Sequence, residues 1–231
     1  MKDIIRFCLV LGLITTIAGF FLGLVYSYTK DKIASQEKEK TLGAVKTVLE
    51  GMEVEEATAK DKSGKEIQYW KGKVNGEVKG FAFVVHKYGY SSDVKGIVGV
   101  NKDGEIVGFE ITFQLETPAL GTRAAEVPSN DYIWGIFSKK KGEKHVIKPW
   151  FQEQFIGLTI NKPIIVVKGT EWLIMGPQER EMLKESNDIS AISGATITSK
   201  AVADSMNDVR DQMLDLIKAD SSNSNNMSEK M

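Results

Sequence analysis

The stretch Ile67-Gln68-Tyr69-Trp70-Lys71-Gly72-Lys73-Val74-Asn75-Gly76-Glu77-Val78-Lys79-Gly80-Phe81-Ala82-Phe83-Val84-Val85-His86 decides the fold class. Two runs rich in aromatic and β-branched residues flank Asn75-Gly76, a dipeptide that supplies the positive φ angles of a tight hairpin turn. Residues 67–74 and 78–86 are therefore expected to pair as antiparallel strands. A second pair, residues 95–100 and 105–115, surrounds Lys102-Asp103-Gly104. Within it Ile106, Gly108, Glu110, Thr112 and Gln114 alternate with Val107, Phe109, Ile111, Phe113 and Leu115, as in a sheet with one buried face. Residues 164–167 add a short apolar strand.

Helical patterns lie on both sides of these strands. Residues 31–52 carry Leu42, Val45, Val48 and Leu49 at helical spacing and read as a stalk, followed by the turn-rich linker Lys60-Asp61-Lys62-Ser63-Gly64. Residues 196–218 place Ile197, Val202, Val209, Met213, Leu216 and Ile217 broadly on one side of a helix. The tail from Asp220 is rich in Ser and Asn and reads as disordered. No internal repeat is present. The expected fold is α+β, an antiparallel sheet packed by helices. The expected division is an anchor at 1–30, a stalk helix and linker at 31–60, a folded domain at 61–219 and a disordered tail at 220–231.

The 231 residues carry a formal net charge of −1, which offers no electrostatic case for nucleic acid. One cysteine, Cys8, excludes an internal disulfide and a thiolate cluster. His86 and His145 are the only histidines, so no histidine-rich metal centre is available. Redox chemistry would have to come from an organic cofactor. No GxGxxG, P-loop, HExxH or Ser-His-Asp arrangement is present.

Residues 7–28 read FCLVLGLITTIAGFFLGLVYSY without a charge, long enough at 1.5 Å per residue to cross a hydrocarbon core of about 30 Å. The run exceeds a typical signal-peptide apolar core and no Ala-x-Ala cleavage site follows, so a retained anchor is expected. Tyr26 and Tyr28 suit the interface. Lys2 and Arg6 precede the span, whereas Lys30, Lys32, Lys38 and Lys40 follow it, so basic residues alone do not orient the chain.

Two loops could carry chemistry. Ser193-Gly194-Ala195-Thr196 places a hydroxyl after a glycine hinge and before a helix, where first-turn amides point outward and suit an anion. The plainer reading makes Ser193 or Thr196 a helix N-cap. Glu116-Thr117-Pro118-Ala119-Leu120-Gly121 closes the long strand as a stiff turn. It could offer amides and the Thr117 hydroxyl to a ligand's polar edge, with Leu120 against its flat face. Gly89-Tyr90-Ser91-Ser92 could line the same pocket or simply join two strands. Trp134, Trp150 and Trp172 read as core aromatics rather than cofactor stackers. His86 is expected to pack at a strand end, and Lys139 to Lys141 and His145 to lie in a solvated loop.

The anchor, the strand-ending ETPALG loop and the late SGATITSKAV helix start, in that order, resemble the FMN-binding G subunit of the Rnf complex and its homologue, the C subunit of the sodium-translocating NADH:quinone oxidoreductase. The resemblance implies an FMN joined covalently through its phosphate to the threonine of the SGAT motif by a separate flavin transferase. On this chain that phosphoester acceptor is Thr196, with Ser193, Gly194 and Ala195 beside it and Thr198 as the nearest alternative hydroxyl. Glu116, Thr117, Leu120 and Gly121 would lie by the isoalloxazine ring.

The resemblance further implies an electron carrier within a membrane ferredoxin:NAD+ oxidoreductase that moves Na+ or H+, with other membrane and peripheral subunits as partners. By itself the chain would catalyse nothing. It would be a single-pass protein of the cell (inner) membrane, its FMN-binding domain at 61–219 on the extracytoplasmic side. The rivals are a membrane-anchored flavin-free binding or scaffold domain and an FMN carrier of another respiratory system. Two positions depart from the family pattern: Ala119 replaces the usual glycine, and Ser190 stands where an aspartate is usual, with Asp188 the nearest acid.

Overall fold

A five-stranded antiparallel meander, its strands in sequence order, forms the centre of the domain. A computed structural model of the chain describes residues 2–60, 64, 66–127 and 149–228, with side chains described as far as residue 220. Its contacts divide the chain into two units, residues 1–43 and 44–231. Trp134, Lys139 to Lys141, His145 and Asp61 to Ser63 of the expected linker lie outside the described residues.

The first unit is most of helix α1, Lys2–Val48. Anchor and stalk are thus one continuous helix. Ile4, Phe7, Leu11, Phe20, Leu24 and their apolar neighbours are exposed on every side, as in a single membrane-spanning helix whose solvent is lipid.

In the second unit, β2 (Glu66–Val74) and β3 (Glu77–Tyr88) form the expected hairpin, with Asn75 and Gly76 both at positive φ. β4 (Asp93–Asn101) and β5 (Ile106–Phe113) form the second pair. β1 (Glu53–Lys60) corrects the reading of residues up to 60 as stalk and linker: it pairs along its length with β2. Its Glu53, Glu55, Glu56 and Lys60 hide it from a search for apolar runs, yet charge is what an edge strand carries against unwanted pairing.

The expectation of one buried face is also corrected, since the sheet is covered on both. Tyr69, Phe81, Phe83, Val85, Val98, Ile106 and Phe109 face a core closed by Trp150, Phe151 and Phe155 of α2 (Trp150–Glu153) and its following turn, and by Val202, Met206 and Met213 of α4 (Thr196–Ser228). Trp70, Ala82 and Ile97 face the end of α1, where Ala44, Val45, Val48 and Leu49 are buried. A bulge opposite Gly99 and Val100 adds Val107 to β5 and turns Phe109 to the side of Ile106. Simple alternation had set those two residues apart. The end of α1 can approach because Gly99 and Gly108 face each other beneath it, and a Cβ at Gly108 would lie 2.7 Å from Val48 Cα.

The short strand at 164–167 is β6 (Ile165–Val167), parallel to β7 (Asp188–Ser190) and separate from the main sheet; α3 (Pro177–Ser186) precedes β7. Trp150 and Trp172 are buried as expected. His86 is not packed at a strand end; it is exposed within β3, its Nδ1 3.7 Å from Asp93. The disordered tail is corrected as well, because α4 continues to Ser228 and Asp220 pairs with Lys71 on β2. Helix propagation needs one bond per added residue, so a packed nucleus carries weak helix formers with it.

Candidate functional site

Beyond β5 the chain turns inward at Glu116, whose side chain is only 4% exposed. The backbone N–H groups of Tyr90, Ser91 and Ser92 each donate to its carboxylate at 3.0 Å, and Thr198 Oγ1 donates at 2.5 Å. The Gly89 to Ser92 segment is therefore both a strand connection and a wall of the site. Burial alone would raise the Glu116 pKa, but the bonds from Thr198, Ser91, Ser92 and Tyr90 together hold it below the usual carboxylate range.

Thr117 to Leu120 then make a tight turn, with Thr117 O accepting from the N–H groups of Leu120 and Thr122. Ala119 sits at φ 59, the left-handed region that glycine adopts without strain. A 3-10 turn, Gly121–Ala125, follows. A Cβ on Gly121 would lie 2.5 Å from Glu116 Cβ and 2.8 Å from Thr198 Oγ1, so glycine is what lets the loop close on α4.

The facing wall is the start of α4. Gly194 has φ 78, and a Cβ there would lie 2.9 Å from Leu120 Cδ2. Ser199 N donates to Ala195 O, the first bond of the helix, so Ala195 is the cap residue and has no side-chain acceptor. Ser199 Oγ braces the approach instead, accepting from Ile192 N–H and donating to Ala195 O, each at 3.0 Å. Among the described residues no side chain accepts from the N–H groups of Thr196, Ile197 or Thr198. The hydroxyl-cap role weighed for Ser193 or Thr196 is not what the geometry provides.

A bidentate ion pair joins the two walls. Arg123 Nη1 and Nη2 donate to Glu171 Oε1 and Oε2 at 2.9 and 2.8 Å, and Ser193 N–H donates to Glu171 Oε1 at 2.7 Å. The Arg123 guanidinium, outweighing burial, draws the Glu171 pKa down to about 2. Glu171 lies 22 residues before Ser193 and carried no sequence signal. Arg123, two residues past the ETPALG loop, could have been found by asking what that loop is tied to.

Between the walls lies a cleft of ≈ 440 Å³. Eight of the nine residues expected at the site line it: Glu116, Thr117, Leu120, Gly121, Gly194, Ala195, Thr196 and Thr198. Ser193 stands outside, held by Glu171. Tyr90 and Ile197 complete the lining. Ile197 corrects the helix reading: it is 54% exposed beside the cleft rather than packed on the core side. The two threonines differ sharply. Thr198 is 1% exposed and engaged with Glu116, while Thr196 is half-buried and opens to the cleft.

Ser190 is fully buried, its Oγ donating to Thr170 O at 2.6 Å and its N–H to Gln154 Oε1 at 2.8 Å. Asp188 Oδ1 is buried without a hydrogen-bond partner among the described residues, and burial pushes its pKa up. The residues of the cleft suit a phosphorylated group with a flat apolar part. First-turn amides and a hydroxyl meet the anion, and Leu120, Ile197 and Tyr90 supply apolar walls.

Residues 89–211, more than half of the chain, match the FMN-binding domain. The chain is 29% identical over 220 residues to the G subunit of the Na(+)-translocating ferredoxin:NAD(+) oxidoreductase complex of Acetobacterium woodii, covering 89% of each protein. It is 24% identical over 216 residues to the G subunit of the ion-translocating oxidoreductase complex of Methanosarcina acetivorans, covering 91% of this chain and 94% of that one. A crystal structure of Shewanella oneidensis NqrC is 17% identical, with a TM-score of 0.47 over 70% of this chain and 69% of that chain. The matched segment begins at the Glu116-binding loop and ends within α4, so it contains every wall of the cleft: this chain belongs to the FMN-binding domain family.

Proposed function

We propose that this protein is the FMN-carrying electron-transfer subunit of an Rnf-type ferredoxin:NAD+ oxidoreductase complex coupled to Na+ or H+ translocation. Its FMN-binding domain would occupy residues 61–219, together with β1. The FMN is attached as a phosphoester to Thr196 by a flavin transferase, and the domain lies on the extracytoplasmic side of the cell membrane. The observation that carries this reading is that Thr196 and the first turn of α4, whose N–H groups have no partner among the described residues, line one cleft with the ETPALG loop. The similarity to the G subunits of such complexes along some nine-tenths of the chain supports the partner subunits, and α1 supports the membrane.

When bound, FMN supplies reversible electron uptake and release. The chain's own residues bind and orient. Thr196 offers the acceptor oxygen, while Thr198 is withdrawn from competition by its bond to Glu116. The amides of Thr196, Ile197 and Thr198 and the dipole of α4 hold the phosphate's remaining charge. The Arg123–Glu171–Ser193 contact fixes the hinge that presents Thr196.

Co-expression with a flavin transferase should give a fluorescent band after denaturing electrophoresis. Thr196→Ala should abolish it and Thr198→Ala should retain it. An unlabelled wild-type band would sink the carrier reading in favour of a flavin-free binding domain, and loss only in Thr198→Ala would move the site.

A further inference from the structure

We infer that Glu116 is a fixed, unneutralised negative charge in the wall of the flavin cleft and that it lowers the reduction potential of the flavin bound there. The inference rests on the reading of Thr196 as the site of FMN attachment and adds a role to a residue that does not itself carry the cofactor.

Three observations support it. The carboxylate is almost fully buried, yet it contributes to the surface of the cleft. Among the described residues every group that binds it is neutral: the N–H groups of Tyr90, Ser91 and Ser92 and the hydroxyls of Ser92 and Thr198. None of the ion pairs among the described residues includes it, and Arg123, in the 3-10 turn that follows, is committed to Glu171 through both of its terminal nitrogens.

Neutral donors can keep a buried carboxylate ionised, and the hydrogen bonds to Glu116 do hold its pKa down. They do not cancel its charge. The field of a dipole dies away faster than that of a net charge, so an occupant of the cleft still feels the anion. A cleft of ≈ 440 Å³ keeps that occupant within a Debye length of about 10 Å of its wall, in surroundings that screen less than water.

At neutral pH full reduction of the flavin ring adds two electrons and one proton, so the reduced ring holds one more negative charge than the oxidised ring. The electrons come from a reduced partner carrier in the complex, or from a chemical reductant in a titration. A neighbouring anion disfavours the more negative form, and the potential falls.

The test is the flavin midpoint potential of the full-length chain, labelled by co-expression with the transferase and followed by absorbance during a reductive titration. Glu116→Gln keeps the shape and removes the charge; the potential should rise. Thr198→Val keeps the charge and removes one donor that spreads it; the potential should fall. Opposite responses distinguish charge from loosened packing, which would move both variants the same way. An unchanged or lower potential in Glu116→Gln, or a rise in both variants, overturns the inference and leaves the attachment reading intact. Should Glu116→Gln fail to fold or label, Thr198→Val decides alone: a fall supports the inference and any other result overturns it. A wild-type chain carrying no flavin at Thr196 defeats both readings together.

Discussion

At the scale of single residues, Ala119 holds a backbone conformation that glycine would adopt without strain. Its φ of 59 is a conformation that costs an L-residue about 1–2 kcal/mol, and its side chain is exposed, so no packing offsets that cost. Glycine removes the strain but gains unfolded-state freedom of about 0.4–1 kcal/mol. Ala119→Gly should therefore raise stability by up to about 1.6 kcal/mol, seen as a melting temperature higher by a few degrees. An unchanged or lower melting temperature would show that the turn relaxes around the alanine. The two threonines teach the complementary lesson. Thr196 and Thr198 are indistinguishable as hydroxyls in the sequence, and only a carboxylate 82 residues away separates the buried donor from the open one.

At the scale of elements, the site depends on how two loops are held together. The Arg123–Glu171 pair links the 3-10 turn after ETPALG to the segment before β7 and, through Ser193, to the start of α4. Both side chains are mostly buried, at 25% and 15% exposure, so removing one leaves the other poorly solvated. Arg123→Ala should cost about 1–3 kcal/mol in chemical denaturation and reduce the yield of Thr196 labelling. Full stability in that variant would mean that water replaces the guanidinium at no cost. These elements were legible to different degrees. The β2–β3 hairpin, the ETPALG turn and the α4 start could be read from Asn75-Gly76, Pro118 and Gly194 because each is set by local backbone preference. β1 could not, since its alternating charges become a strand only through pairing with β2. The bulge at Val107 could not either, because it is set by register with β4.

At the scale of the whole molecule, acid sensitivity and topology are the open tests. Glu116 and Glu171 both have folded-state pKa values below the ordinary 4.5, with Glu171 at about 2. The stability they contribute is fully present above about pH 4.5 and is lost as the pH falls through their folded values. The melting temperature should drop across that window, and less steeply in Glu171→Gln than in wild type; equal slopes would mean the carboxylate is not ion-paired in solution. The extracytoplasmic placement predicts that a membrane-impermeant protease digests the domain in intact spheroplasts. Protection until the membrane is opened would place the domain inside.

The sequence by itself determined the membrane span, the antiparallel sheet and the two loops of the site, because span length, turn chemistry and strand alternation are local properties of the chain. Tertiary structure decided what those pieces do together. It covered both faces of the sheet, turned Ile197 toward the cleft, buried Thr198 against Glu116 and locked the SGAT hinge to Arg123 through Glu171. Each of these is a contact between residues far apart in sequence. Such contacts are set by how the walls close, which no local preference encodes.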